Sequence, residues 1–121
     1  MGKILVVDDE PTIVSIIEDV LQLNGFPTFS AADAEEADKA VKSSRPDLIL
    51  LDVMLPKMDG FTFCENLRKD PANKDIPVIF VTVMNKESDL DRAKKLGAID
   101  FIAKPFDPAK LVASVKKALA K

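Results

Sequence analysis

The chain has 121 residues with 17 basic and 20 acidic side chains, a net charge of −3, no histidine and one cysteine. That length is one domain's worth and excludes a second of ordinary size. Apolar residues at 47% and charged residues at 31% exclude a disordered chain, and the acidic balance is a poor match for a nucleic-acid backbone.

Short apolar runs alternate with longer amphipathic stretches along the chain. Residues 3–7 are a β-branched-rich run, the pattern of a strand covered on both faces, and they lead into Asp8-Asp9. Pro11 suits a first helical turn; Ile13, Ile16, Ile17, Val20 and Leu21 then form one apolar stripe, and Gly25 supplies a left-handed stop. Residues 26–30 read as a second strand, which Pro27 confines to an edge or to a strand start because proline has no N–H for the ladder. Ala34, Ala37, Ala40 and Val41 mark a helix with a small-residue face, ending near Ser44 before Arg45-Pro46.

Residues 48–51 form the third strand and lead into Asp52. A loop with Pro56 and the turn signal Asp59-Gly60 precedes a helix over residues 61–69, closed by Asp70-Pro71. Residues 78–81 are the fourth strand and lead into Thr82; a helix over residues 87–96 stops at Gly97, and residues 99–103 form a fifth strand that reaches Lys104-Pro105. Asp107-Pro108 is an N-cap and N1 pair opening a last helix, with Leu111, Val112, Val115 and Leu119 as its inward positions. This alternation calls for a parallel sheet with right-handed crossovers and helices on both faces.

Several chemistries are excluded. Without an imidazole there is no His-based hydrolase triad, no His metal ligand and no phosphohistidine, so the chemistry must run on carboxylates, hydroxyls and amines. Cys64, alone, forms no internal disulfide and reads as a buried structural thiol. The longest apolar runs fall far short of a bilayer span, Asp8-Asp9-Glu10 cuts off any secretory stretch, and Val6 stands where a myristoylation signal starting at Met1-Gly2 wants Ser or Thr. The expected location is the cytoplasm.

In an open α/β sheet, ligands sit beyond the carboxyl ends of the strands. Those ends deliver Asp8 and Asp9, Asp52, Thr82 and Lys104 from four strands to one edge. Three carboxylates gathered there repel one another unless a cation neutralises them, and an all-oxygen set suits Mg²⁺, or Mn²⁺, better than a softer metal. With a lysine and a hydroxyl beside them they make a site for phosphoryl transfer, which rests on positioning and charge neutralisation. Asp52, at the end of the most apolar central strand, fits the nucleophile best; Asp8 or Asp9 in that role is the poorer alternative, since adjacent acids on a loop are better placed to grip a cation. Taken alone, Asp8-Asp9-Glu10 reads as an acidic helix start, and the lysines at 110, 116, 117 and 121 as a solvated helix face.

The blocks ILVVDDE, LILLDVMLPKMDG, VIFVT and FIAKPF together resemble the receiver domain of two-component response regulators, from Lys3 to about Leu119. The resemblance implies a flavodoxin-like doubly wound (βα)5 sandwich with strand order 2-1-3-4-5, and residues 1–121 as a single receiver domain with no effector domain among them. It further implies that Asp52 takes a phosphoryl group from a sensor histidine kinase or a phosphotransfer protein, the donor bringing the missing histidine. Asp9 would bind Mg²⁺ directly and Asp8 mainly through water, with Asp52 and the Met54 backbone carbonyl completing the protein ligands. Thr82 and Lys104 would contact the phosphoryl oxygens, and Pro105 would follow a cis peptide bond that aims Lys104 into the site.

The same resemblance implies a switch in which Thr82 moves inward and Phe101 rotates, remodelling the surface of helix four, strand five and helix five for a protein partner or a homodimer. Phe101 lacks the hydroxyl of the tyrosine that many relatives carry, and Val83 replaces the usual Ala or Gly; Val83 is either an obstacle beside the phosphoryl group that slows turnover or plain strand-end packing. The competing readings are a pseudo-receiver that is not phosphorylated and an aspartyl-phosphate phosphohydrolase. The latter wants a second Asp where Met54 stands, and a dinucleotide-binding domain is disfavoured because no G-x-G-x-x-G follows the first strand.

Overall fold

The computed structural model describes residues 2–120, so Lys121 of the basic cluster lies outside the described residues. The element order is β1 (Ile4–Val7), α1 (Pro11–Leu23), β2 (Thr28–Ala31), α2 (Ala34–Ser44), β3 (Leu48–Leu51), α3 (Gly60–Lys69), β4 (Val78–Thr82), α4 (Glu87–Lys95), β5 (Asp100–Ala103) and α5 (Pro108–Leu119). The strands form one parallel sheet in the order β2-β1-β3-β4-β5. This is the flavodoxin-like, doubly wound arrangement that the resemblance implies.

The two-residue periodicity of strands builds two cores from the same short segments. Leu5, Val7, Ile49, Leu51, Val78 and Phe80 face the core covered by α2, α3 and α4. Their neighbours Ile4, Val6, Leu48, Leu50, Ile79 and Val81 face the core covered by α1 and α5. All of β1, β3 and β4 is buried, which is why these runs read as continuous apolar segments instead of alternating ones. Cys64 is fully buried in the first of these cores, where burial pushes its thiol pKa above the ordinary value.

Several boundaries and faces differ from those read in the sequence. The second strand begins at Thr28, not Phe26: Pro27 stands before it and offers its carbonyl to Ile4 N at 3.0 Å, while Phe26 packs into the α1–α5 core. The proline thus marks a strand start, and that strand is an edge. In α1, Ile17 and Leu21 are buried but Ile16 is 44% exposed, so the stripe buried against the sheet is narrower than the sequence pattern offers. In α5, Leu111 and Val115 are buried as expected, whereas Ser114 and Ala118 take the inward places assigned to Val112 and Leu119, which are half-buried. Ser114 can be buried because its hydroxyl donates to Asp100 Oδ2 at 2.7 Å. Gly25, one residue past the Asn24 C-cap of α1, has φ +87°, the left-handed stop expected of it.

Candidate functional site

Strand register places the site. Val7 pairs with Leu51, so the next residues, Asp8 and Asp52, emerge side by side, and the ladder continues through them: Asp52 N donates to Val7 O at 3.0 Å and Asp8 N to Ala31 O at 3.1 Å. Thr82 pairs with Ala103, so Lys104 lies one residue beyond, its N–H donating to Thr82 O at 2.9 Å. These residues are where they are because the strands that carry them are short, buried and in register.

The side chains converge as the sequence leads one to expect. One carboxylate oxygen from each of Asp8, Asp9 and Asp52 lies within 4.8 Å of the others, with Asp8 and Asp52 buried and Asp9 exposed. Lys104 Nζ donates to Asp8 Oδ2 at 2.6 Å and to Asp52 Oδ2 at 3.0 Å, and its side chain is only 7% exposed. Burial alone would lower the Lys104 pKa; the hydrogen bonds it donates to Asp8 and Asp52 and the charges of the two carboxylates outweigh it and raise the pKa above the ordinary 10.5. One ammonium cannot neutralise three carboxylates. The hard, oxygen-only donor set and its residual negative charge fit a small divalent cation such as Mg²⁺, and Asp8, Asp9 and Asp52 are the side chains that could hold it.

The two buried carboxylates also accept backbone N–H groups. Asp8 Oδ1 accepts from Glu10 N at 3.0 Å, and Asp52 Oδ1 accepts from Met54 N at 3.1 Å. Thr82 is fully buried, its hydroxyl accepting from Met84 N at 3.4 Å. Val83 follows directly on the end of β4 and is 56% exposed. The Lys104-Pro105 peptide is cis. Phe101 is half-buried, and its ring lies 6.2 Å from that of Phe80, which in turn lies 5.1 Å from Phe61 with Arg92 stacked on the far ring at 4.8 Å.

Two contributors escape the sequence reading. Gly60 reads there as half of a turn signal, but its backbone is not left-handed; a Cβ at this position would collide with the Asp52 carbonyl oxygen. The glycine is needed for close approach of α3 to the end of β3, with Gly60 N donating to Val53 O at 2.8 Å and Asp59 N-capping the helix through Thr62 N. Glu10 brings Oε1 to 3.9 Å from Lys104 Nζ. The acidic run Asp8-Asp9-Glu10 held a signal for it, but the role of its third member depends on the direction in which α1 leaves the sheet.

Comparison with known proteins agrees with this geometry. The family model for the response regulator receiver domain matches residues 4–116. The alkaline phosphatase synthesis transcriptional regulatory protein PhoP of Bacillus subtilis is 43% identical over 117 residues, 97% of this chain and 48% of that protein. The probable transcriptional regulator ycf27 of Porphyridium aerugineum is 44% identical with the same coverage, so the chain spans about half the length of these relatives. Among solved structures, the chemotaxis protein CheY4 of Vibrio cholerae superposes with a TM-score of 0.92 at 32% identity, covering 98% of this chain and 99% of that one. With the sheet order, the acidic edge and the sequence all agreeing, the chain belongs to the receiver domains of two-component response regulators.

Proposed function

We propose that Asp52 accepts a phosphoryl group from a sensor histidine kinase or a phosphotransfer protein. The observation that carries this reading is the placement of Lys104 Nζ between Asp8 Oδ2 and Asp52 Oδ2, three side chains from three strands meeting at one buried point. A carboxylate oxygen of Asp52 attacks the donor phosphorus, the phosphorus–nitrogen bond of the donor's phosphoimidazole breaks, and the ring, already protonated at its other nitrogen, leaves as neutral imidazole. The chain has no histidine, so the donor supplies the imidazole. Asp8, Asp9, Asp52 and the Met54 backbone carbonyl would hold Mg²⁺, with Mn²⁺ as a substitute; when bound, the ion supplies charge neutralisation on the transferring oxygens. Lys104 and the Thr82 hydroxyl then contact those oxygens, the same residues assisting phosphorylation and later hydrolysis, so the protein is a signalling domain that takes part in its own modification and not an enzyme acting on other substrates.

The output is a change of surface. Thr82 drawn toward the new phosphoryl group vacates space on β4, and Phe101, already half-buried against Phe80, turns into it and alters the α4–β5–α5 face for a protein partner or a second copy of the chain. A phenylalanine executes the packing half of such a switch; it has no hydroxyl with which to signal by hydrogen bonding. The net charge of −3 argues against direct nucleic-acid binding by these residues. No described helix is long and apolar enough to cross a membrane, and we place the domain's action in the cytoplasm.

Intact mass after incubation with acetyl phosphate and Mg²⁺ tests the proposal. Gain of one phosphoryl group is expected, with none in Asp52→Asn and none under a chelator. No gain, together with no binding of beryllofluoride, would make the chain a pseudo-receiver.

A further inference from the structure

Glu10 stands at the N-cap of α1 and caps nothing: its side chain makes no hydrogen bond to the helix amides. Ser, Thr, Asp and Asn are the side chains that cap well, so a glutamate at this place does not serve the helix. Its carboxylate lies toward the acidic edge instead, with Oε1 3.9 Å from Lys104 Nζ, the one ion-pair partner it has among the described residues. The backbone holds it there, because Glu10 N donates to Asp8 Oδ1 at 3.0 Å while Asp8 Oδ2 accepts from Lys104. Residue 10 is thus tied to one oxygen of the carboxylate whose other oxygen holds the lysine.

The Lys104 ammonium has three donors and uses two of them, on Asp8 Oδ2 at 2.6 Å and Asp52 Oδ2 at 3.0 Å. Asp8 and Asp52 are also two of the three carboxylates that could hold a divalent cation, so cation and ammonium compete for them. A lysine side chain only 7% exposed is costly to leave without acceptors. Among the described residues, the carboxylates within ion-pair distance of it are those of Asp8, Asp52 and Glu10; Glu10 is the acceptor that remains when the other two are engaged. Closing the gap from 3.9 Å to hydrogen-bond length asks little of either partner. The glutamate is 65% exposed and gives up no capping bond by moving. The lysine backbone is fixed by its N–H on Thr82 O at 2.9 Å, so only the long side chain swings.

We propose that Glu10 is a positioning residue for Lys104: it receives the ammonium when a cation engages Asp8 and Asp52, which eases the release of those carboxylates and keeps the lysine at the sheet edge. The proposal rests on the reading of the acidic edge as a Mg²⁺ site. Glu10 acts on the cation through the lysine and is not itself a further ligand.

The test is a Mg²⁺ titration at one ionic strength, followed by backbone amide shifts, of the parent, Glu10→Gln and Glu10→Asp, each also combined with Lys104→Met. A partly exposed ion pair contributes modestly, so Glu10→Gln should weaken Mg²⁺ binding about three- to fivefold. Glu10→Asp keeps the charge on a side chain one methylene shorter and should weaken binding by a similar factor. With Lys104→Met there is no ammonium to receive, and the three side chains at position 10 should give equal Mg²⁺ affinity. In a chelator, Glu10→Gln should unfold at the parent's urea midpoint, since its side chain caps nothing. Unchanged affinity in Glu10→Gln, parent affinity in Glu10→Asp, or the same loss with and without Lys104 would each overturn the proposal. Should Lys104→Met not fold, the Glu10→Asp result decides by itself, because a charge acting only through its field is indifferent to the missing methylene. A parent that binds no Mg²⁺ would overturn the metal reading together with this one, whereas parent and Glu10→Gln binding it equally would overturn this one alone.

Discussion

Lys104 and Lys42 both reach a carboxylate at close range, and the settings of the two pairs are opposite. Lys42 Nζ lies 3.0 Å from Asp38 Oδ2 across one turn of α2, the two side chains 64% and 55% exposed. Lys104 lies 2.6 Å from Asp8 and 3.0 Å from Asp52, with all three side chains 7% exposed or less. Water screens the first pair, which costs little to form and adds little. The second takes three ions out of water, a penalty that attraction offsets only with good geometry, and it does so with two carboxylates to one ammonium. Apolar residues would serve stability as well at that place. A cluster that is expensive and left short of positive charge is one whose carboxylates fit a further cation beside the lysine.

The contrast can be broken most forcefully at Lys104. Lys104→Met leaves two buried carboxylates facing each other and should lower unfolding stability by about 3 kcal/mol in a chelator, the scale for breaking a buried pair. Mg²⁺ should restore part of that loss, as read from urea unfolding with and without the ion; a variant as stable as the parent in the chelator would deny that the lysine holds the cluster together. The pH dependence is the next largest effect. Because the folded state raises the Lys104 pKa above 10.5, the folded protein holds that proton more tightly than the unfolded chain. Its contribution is complete below about pH 10.5 and lost as pH rises through the raised value. In the chelator, the parent should therefore lose stability on that alkaline limb more steeply than Lys104→Met.

Val83→Ala sharpens the comparison by acting on rate without touching the ion cluster. The side chain is 56% exposed, so removing its methyl groups should shift stability by less than about 0.5 kcal/mol, whereas phosphorylation by acetyl phosphate and subsequent hydrolysis should both quicken. Unchanged rates would mean that Val83 does not stand in the path. The smallest effect belongs to the exposed pair: Lys42→Ala should leave the urea midpoint and the phosphorylation rate where they are.

What the sequence discloses about this molecule follows from how local each feature is. The ends of β1, β3 and β4 are visible because a buried parallel strand is a continuous apolar run, and the polar residue that closes the run is the one presented at the sheet edge; Asp8, Asp52 and Thr82 are found that way. β5, in which only Ile102 is buried, is placed by Gly97 before it and Lys104-Pro105 after it. Gly60 is not visible in this way, because its requirement is the nearness of the Asp52 carbonyl, a tertiary contact that a sequence shows only as Asp-Gly. Ser114 is missed for a similar reason: an inward serine looks wrong until Asp100 on the neighbouring strand is seen to accept its hydrogen bond. The exposure of Ile16 and the start of β2 at Thr28 are decided by how much of a helix the sheet can cover and by where the pairing partner begins, neither of which is written in the segment itself.

The central claim is that Asp52, and not one of the acids beside it, forms the acyl phosphate. Borohydride reduction of the protein after acetyl phosphate and Mg²⁺ treatment, followed by peptide mass mapping, reads that residue directly, because an aspartyl phosphate is reduced to homoserine and a free carboxylate is not. Homoserine at position 52, lost when Mg²⁺ is chelated, is the predicted result; homoserine at position 8 or 9, or at no position while beryllofluoride also fails to bind, would contradict it.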